Sequence, residues 1–204
     1  MYESAILRAV TGPTIRPGGL TLTDRALDFC CFPTGAQLLD VGCGSGATVE
    51  HLCSRYGFNA NGVDISPALI AEGLGRNPAL ALEEAPAEAL PFEAESRDGI
   101  LCECVLSLLE EPFRALAEFR RVLRNNGHLI LSDMYSRDTA ARGRIEGWLS
   151  ASGFATLLWE DHTSFLKELA ARLILAHGSL EGLCPTTSGV GGKPGYYLLL
   201  ARKV

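Results

Sequence analysis

The sequence predicts an α/β fold built from parallel β-α units. Two observations carry this. Short apolar, strand-like runs alternate with helix-period patterns along most of the 204 residues, the arrangement that a parallel sheet with crossover helices requires. The stretch Leu38 to Leu52, LLDVGCGSGATVEHL, also reads as a strand running through a glycine-rich turn into a helix, the device by which α/β proteins hold nucleotides.

Taken in order, the N-terminal segment ends in IRPGGLTLT, where Pro17, Gly18 and Gly19 force a turn. Thr23 or Asp24 then caps a helix to about Cys31. Strand 36–41 leads through the glycine turn into a helix over 46–56, which Gly57 closes. NANGVD, 59–64, is the second strand. Ser66 followed by Pro67 is an N-cap with proline at the first helical position. A third strand near 79–84 precedes APAEALPF, and a fourth, DGILCECV, begins at Asp98. Pro112 opens a helix through Leu123 with Phe113, Leu116, Phe119, Val122 and Leu123 on one face. NNG then turns the chain into strand HLILSDM. Beyond Met134, RIEGWLSASGF predicts a helix ending at Gly153 and ATLLW a strand. SFLKELAARLILAH is an amphipathic helix, CPTTSGVGGKPG a mobile loop and YYLLLARK the last strand.

The length suits one domain with a large core, and 47% hydrophobic with 21% charged residues is the balance of a globular chain. A net charge of -6 without any Lys/Arg run argues against a nucleic-acid partner, which needs a concentrated basic face. No apolar run reaches membrane-spanning length, and MYESAILRAV is unlike a signal peptide. The seven cysteines are odd in number and lie mostly within expected elements, as reduced thiols do. The expectation is a cytoplasmic protein with no membrane or metal; oligomeric state has no signal in the sequence.

Glycines at 42, 44 and 46 remove Cβ atoms where a ligand approaches the main chain, and the following helix offers unpaired N–H groups. Gly42, Gly44 and Ala47 also fit a loose dinucleotide pattern. Asp64, at the end of the second strand, is placed to accept both ribose hydroxyls of a nucleoside. On these features NAD and other adenosine cofactors stand level. Asp40, two residues before the first glycine, suits a cationic ligand better than an anionic pyrophosphate.

In this order, LLDVGCGSG, GVDIS, AEALPF, DGILCECVLSLLEEP and VLRNNGHLILSD resemble the class I S-adenosylmethionine-dependent methyltransferases over residues 36–134. The resemblance implies a Rossmann-like, seven-stranded, mostly parallel sheet with the last strand antiparallel and helices on both faces. It divides residues 1–204 into an N-terminal lid and helix segment (1–31), a cofactor-binding core (36–134) and substrate-side helices with the last strands (135–204). It assigns Gly42, Gly44 and Gly46 to the methionine part of S-adenosylmethionine, Asp40 to its ammonium, Asp64 to the ribose and Ile65 to the adenine face. The Ala87 backbone N–H would meet an adenine ring nitrogen. Relatives commonly carry an Asp just before the Ala-Glu pair; here Pro86 stands there, and Glu88 is the candidate substitute. The methyl group would point toward Cys102, Glu103 and Cys104, which places Cys102 among the cofactor contacts.

Methyl transfer is an in-line displacement that needs alignment and exclusion of water rather than a dedicated base. Candidate catalytic residues are Cys104, His162 and Tyr135, with Tyr2, Arg16, Asp133 and Asp161 as further candidates for the crevice. Arg16, on the segment that folds over the cofactor in this family, would clamp an acidic substrate. Strand alternation puts Cys102 and Cys104 on one face, where the pair would meet a thiophilic metal or metalloid. ECVLSL resembles the corresponding segment of arsenite methyltransferases, which also use cysteines at places that Cys30, Cys31 and Cys184 match only loosely. The competing reading, that Cys102 and Cys104 are small core residues, is favoured by how often unbridged cysteine is buried. Phe92, Leu106, Leu108 and Leu109 suggest a partly hydrophobic acceptor. The expected activity is methylation of a small molecule by positioning. The alternatives are a non-catalytic S-adenosylmethionine-binding partner and an NAD(P)-dependent reductase, though CECVLSLLEE stands where a reductase would need a Tyr/Lys pair.

Overall fold

The central strands are apolar on both sides, and that forces the layers. Residues 11–178 and 193–204, apart from 13 and 15, are described by a computed structural model. Among them, β1 (Gln37–Val41), β2 (Asn59–Asp64), β3 (Ala81–Glu84), β4 (Arg97–Glu103), β5 (Leu123–Ser136), β6 (Phe154–Asp161) and β7 (Pro194–Lys203) form one sheet. Its order is β3-β2-β1-β4-β5-β7-β6. Strands β1 to β5 pair in parallel, and β7 runs antiparallel to both β5 and β6. The expected sheet, with its antiparallel last strand, is therefore the one observed.

Successive residues alternate between two cores, as the strand period of two dictates. Leu39, Ile100, Cys102, Leu129, Leu131, Leu199 and Ala201 enter one core, which is covered by α4 (Pro112–Val122) and α5 (Ala141–Ala151). Leu38, Leu101, Ile130, Leu198 and Leu200 enter the other, covered by α1 (Gly19–Cys30), α2 (Ala47–Tyr56) and α3 (Pro67–Arg76). The remaining helix, α6 (Thr163–His177), packs on β7 and adds Leu166 beside Leu22 of α1, Cys104 and Tyr196. No helix among the described residues is long and apolar enough to cross a membrane.

Most boundaries follow the local signals. Ser66 accepts from the Leu69 N–H at 3.3 Å with Pro67 first in α3, and Gly57 closes α2 in a left-handed conformation. Four expectations need correction. Helix α1 starts at Gly19, capped by the left-handed Gly18, rather than at Thr23 or Asp24. Those two polar side chains have tertiary partners instead: Thr23 donates to Glu103, and Asp24 accepts from Tyr56. NNG does not precede β5 but lies inside it. Arg97 pairs with Leu123 and Gly99 with His128, so residues 124–127 bulge opposite Asp98, with Asn126 at φ 63.

Phe113 is off the buried face of α4. It is 51% exposed and packs edge-on against Trp148, whereas Leu116, Phe119 and Val122 are fully buried. Finally, Cys102 and Cys104 do not share a face. β4 ends at Glu103, and Cys104 takes a left-handed backbone, φ 59, which breaks the alternation. Cys102 lies in the α4 and α5 core and Cys104 beside Leu22 and Tyr196. Of the expected loop 184–195, residues 184–192 lie outside the described residues, and Pro194 and Gly195 open β7.

The burial contrast on α4 is testable. Phe119→Ala should reduce the unfolding free energy by about 3–5 kcal/mol in a denaturant titration. Phe113→Ala should cost no more than the edge-on aromatic pair it breaks, about 0.5–1.5 kcal/mol.

Candidate functional site

The sheet order reverses direction between β1 and β4, and a crevice opens there at the carboxyl ends of the strands, as open α/β sheets require. A cavity of about 390 Å³ fills it. Registers Val41↔Val63 and Val41↔Cys102 bring the ends of β1, β2 and β4 to one level, so the turn after β1, Asp64 after β2 and Glu103 after β4 all border the cavity.

The turn is held by backbone bonds. The N–H groups of Gly42 and Cys43 donate to the Val63 carbonyl at 2.8 and 3.0 Å, and Gly46 N–H donates to Cys43 C=O at 2.9 Å. Gly42 sits at φ 76, and a Cβ there would lie 2.1 Å from Val105 Cγ2; one at Gly44, φ 55, would meet nothing within 4 Å. Thus Gly42 permits close packing, while Gly44 leaves its space to the cavity. Gly46 differs from its expected place. Its missing Cβ faces Leu82 and Leu80 at 2.8 and 3.3 Å, so it packs the turn against β3 and does not line the cavity.

Two glycines outside the turn prove as necessary. A Cβ on Gly62 would be 2.7 Å from Cys43 Sγ, and one on Gly73 2.5 Å from the Ser45 carbonyl. Their signals were present in the sequence: a glycine inside a strand and one inside a helical pattern both mark close approach. Asp64 ties this frame together. Its carboxylate accepts from Gly44 N–H at 2.8 Å and from Ser66 N–H at 2.9 Å.

Ile65, 71% exposed, stands at the rim, and buried Ala85 and Ala87 line the wall beside it. The loop carrying Ala87 is fastened by α4: Glu118 accepts from Leu90 N–H at 2.8 Å, and Arg121 donates to the Leu90 and Phe92 carbonyls at 2.9 and 2.8 Å. The sequence reading missed this clamp because both residues sit on the polar face of an amphipathic helix. Pro86 and Glu88 do not line the cavity. Leu108 and Leu109 do, whereas Leu106 is buried in the core and Phe92 packs under the Arg97 guanidinium.

At the deep end, Asp40 is 3% exposed and not itself part of the wall. Burial pushes its carboxyl up to about 7, with the Glu103 charge adding to the effect and Arg16 opposing it. Burial also raises the Glu103 carboxyl, against the lowering effect of Arg16 and hydrogen bonds from Thr23 and Ser132. Arg16 borders the cavity, but its guanidinium already meets a counterion of this chain, Glu103, where an acidic substrate was expected. Its side chain is 9% exposed, 2.7 Å from Glu103 Oε2, and donates to Thr23 and Thr48 at 2.7 and 3.1 Å.

Of the candidate catalytic residues, only Cys104 borders the cavity. Tyr135 donates to Asp161 at 2.8 Å, and His162 lies 3.0 Å from Glu160 and stacks on Phe165; neither lines the cavity. Asp133 is buried and structural: it accepts from Ser107 N–H and Oγ and from Met134 N–H, fixing the short helical turn that carries Leu108. Cys102 is 0% exposed, and its thiol does not reach the cavity. Cys30 and Cys31 lie at the far end of α1, and Tyr2 and Cys184 are outside the described residues. No group of three or more His, Cys, Asp or Glu side chains among the described residues could hold a metal.

Comparison with known proteins covers the same segment. A methyltransferase domain profile matches residues 39–131. An uncharacterised protein of Haemophilus influenzae is 34% identical over 128 residues, 59% of this chain and 51% of that protein, so the chain spans about half of that relative's length. The phosphatidylethanolamine N-methyltransferase of Cereibacter sphaeroides is 26% identical over 78% of this chain and 76% of its own. The solved structure of Haemonchus contortus phosphoethanolamine N-methyltransferase 2 in complex with S-adenosyl-L-methionine superposes with a TM-score of 0.79 at 18% identity, over 97% of this chain and 56% of that one. The methyltransferase domain matched over residues 39–131 and the sheet that reverses at the glycine turn together support a class I S-adenosylmethionine-dependent methyltransferase.

Proposed function

We propose that the chain transfers a methyl group from S-adenosylmethionine to a small-molecule acceptor. The observation that carries this is one cavity whose borders suit all parts of that donor: glycine backbone at one side, a carboxylate at the next strand end and an apolar rim beyond. Asp64, oriented by two backbone donors, keeps acceptor capacity for ribose hydroxyls. Ile65 and Ala87 offer an apolar slot for a flat base. Once Asp40 gives up its proton, Asp40 and Glu103 outweigh Arg16 at the deep end, which favours an ammonium and a sulfonium and disfavours the pyrophosphate of NAD.

When bound, S-adenosylmethionine supplies a methyl group on a positively charged sulfur. This chain's part is to hold the acceptor in line and keep water out. Leu108, Leu109 and Val105 give the acceptor side an apolar wall. We place Thr14 and Arg16 at the edge of the cavity and residues 135–178 and 193–204 on the acceptor side, within a cytoplasmic enzyme. The two N-methyltransferases among the compared proteins put primary amines first on an acceptor panel.

Three measurements test this reading. Calorimetry should show binding of S-adenosylmethionine and S-adenosylhomocysteine but not of NAD, and methylation should appear on a panel of ethanolamine, phosphoethanolamine, a phenol and a thiol. Binding of NAD alone would overturn the proposal, and binding without methylation of any acceptor would make the chain a cofactor-binding partner. Asp64→Ala should weaken S-adenosylhomocysteine by about 1–3 kcal/mol, the loss expected for a charged hydrogen-bonding group; unchanged affinity would displace the ribose from this carboxylate.

The third measurement uses pH. Asp40 keeps a proton up to about 7 in the ligand-free fold, and an ammonium beside it favours the charged form, so below that value binding must expel the proton. Affinity for S-adenosylhomocysteine should therefore fall as pH drops, approaching about tenfold per unit, and proton release should show in buffers of different ionisation enthalpy. Asp40→Asn should flatten the profile.

A further inference from the structure

Four buried groups form a continuous hydrogen-bonded chain at the cavity, and the proposed function uses only one of them, Glu103. Cys104 Sγ lies 3.0 Å from Tyr196 Oη, Tyr196 Oη lies 3.2 Å from Ser132 Oγ, and Ser132 Oγ lies 3.4 Å from Glu103 Oε1. Cys104 and Glu103, its two ends, both border the cavity. Tyr196 and Ser132 have no exposure at all. The sheet brings them together, since Glu103 pairs with Ser132 across β4 and β5, and β7 lies on the far side of β5.

Donor and acceptor counting fixes the direction of the chain. Ionised by its pairing with Arg16 at 2.7 Å, Glu103 can only accept, so the Ser132 hydroxyl spends its single hydrogen on Glu103. Ser132 must then accept from Tyr196, whose single hydrogen is spent in turn. The remaining bond can be made only by the Cys104 S–H donating to Tyr196 Oη. Every hydrogen therefore points from the cavity wall at Cys104 toward Glu103. Burial, and then the Asp133 charge, hold the Cys104 thiol protonated, and burial does the same for the Tyr196 phenol, so both carry the hydrogens this count requires. The left-handed backbone of Cys104, φ 59, is what turns its side chain to Tyr196 and away from the Cys102 side of the sheet.

We infer that Cys104, Tyr196, Ser132 and Glu103 are a one-way proton relay that removes the proton of the methyl acceptor. The inference rests on the methyltransferase reading. As the acceptor atom bonds to the methyl carbon, the carbon–sulfur bond breaks and its electron pair stays on sulfur, leaving the acceptor with one proton too many. That proton passes to Cys104 Sγ while the S–H proton moves to Tyr196, the Tyr196 proton to Ser132 and the Ser132 proton to Glu103 Oε1. Glu103 ends neutral and the other three groups are restored. Cys104 is the member that meets the acceptor; Tyr196 and Ser132 act through it, and Glu103 is the sink.

The direction can be read without any ligand. The S–H stretch of Cys104 in the infrared spectrum, assigned by its loss in Cys104→Ala, should shift to higher frequency in Tyr196→Phe, which keeps the buried ring and removes the oxygen. A band that does not move overturns the relay, whatever the ligand experiments give. In the methylation assay with the acceptor the panel identifies, Tyr196→Phe should lower kcat at least about tenfold with KM within about threefold, while S-adenosylhomocysteine affinity stays unchanged. Ser132→Ala breaks the chain one step later and should lower kcat alike. If either variant, folded and binding S-adenosylhomocysteine normally, kept the kcat of the unmodified chain, the relay would be refuted while the methyltransferase reading stood.

Discussion

Three carboxylates converge at the ends of neighbouring strands, and one arginine faces them. Asp64 and Glu103 end β2 and β4, Asp40 stands one residue before the end of β1, and the Arg16 guanidinium faces Glu103 and Asp40. Like charges brought together out of water repel strongly, because the screening that bulk solvent supplies is lost. The fold resolves this differently for each group. Asp64 is satisfied by two backbone N–H donors. Glu103 takes the ion pair with Arg16 and hydroxyls from Thr23 and Ser132. Asp40 is left to be neutralised by a proton, with burial raising its carboxyl. In the proposed reading a positively charged ligand would take the place of that proton, so the distribution favours cations.

That arrangement depends on backbone that can come close without side chains. Gly42 combines a left-handed backbone with close packing on Val105, and Gly44 a left-handed backbone with open space beside it. Their support is indirect. Gly62 and Gly73 let Cys43 and Ser45 settle against β2 and α3, and Arg76 donates to the Ser45 carbonyl at 3.1 Å. A substitution at Gly62 or Gly73 would therefore act on the turn without touching any ligand.

The parts of this structure that were legible in the sequence are those set by local chemistry. The alternation of apolar runs fixed the sheet, Ser66 with Pro67 marked the start of α3, and the spacing from the glycine turn to Asp64 brought both to one crevice. The illegible parts depend on partners far along the chain. Thr23 and Asp24 look like helix caps until Glu103, His51 and Tyr56 are seen beside them. Arg16 looks like a substrate clamp until its own counterion is visible. A period of two predicts that Cys102 and Cys104 face the same way, and one left-handed residue after the strand undoes it. Each of these is a tertiary override of a local rule.

The two halves of the sheet divide the work. In the proposed reading, β1, β2 and β3 with their loops hold the donor, through backbone and two aspartates. β4, β5 and β7 present the acceptor side, where Cys104, just past the end of β4, meets Tyr196 of β7 and, through it, Ser132 of β5. Glu103 belongs to both halves, since it adds to the negative potential around Asp40 and terminates the hydroxyl chain. A proton arriving on Glu103 would cancel its attraction for Arg16 and weaken the negative field at the deep end. The field that favours a cationic sulfur would then be strongest before transfer and weakest once the sulfur is neutral, so the same carboxylate that helps to bind the donor would help to release the product.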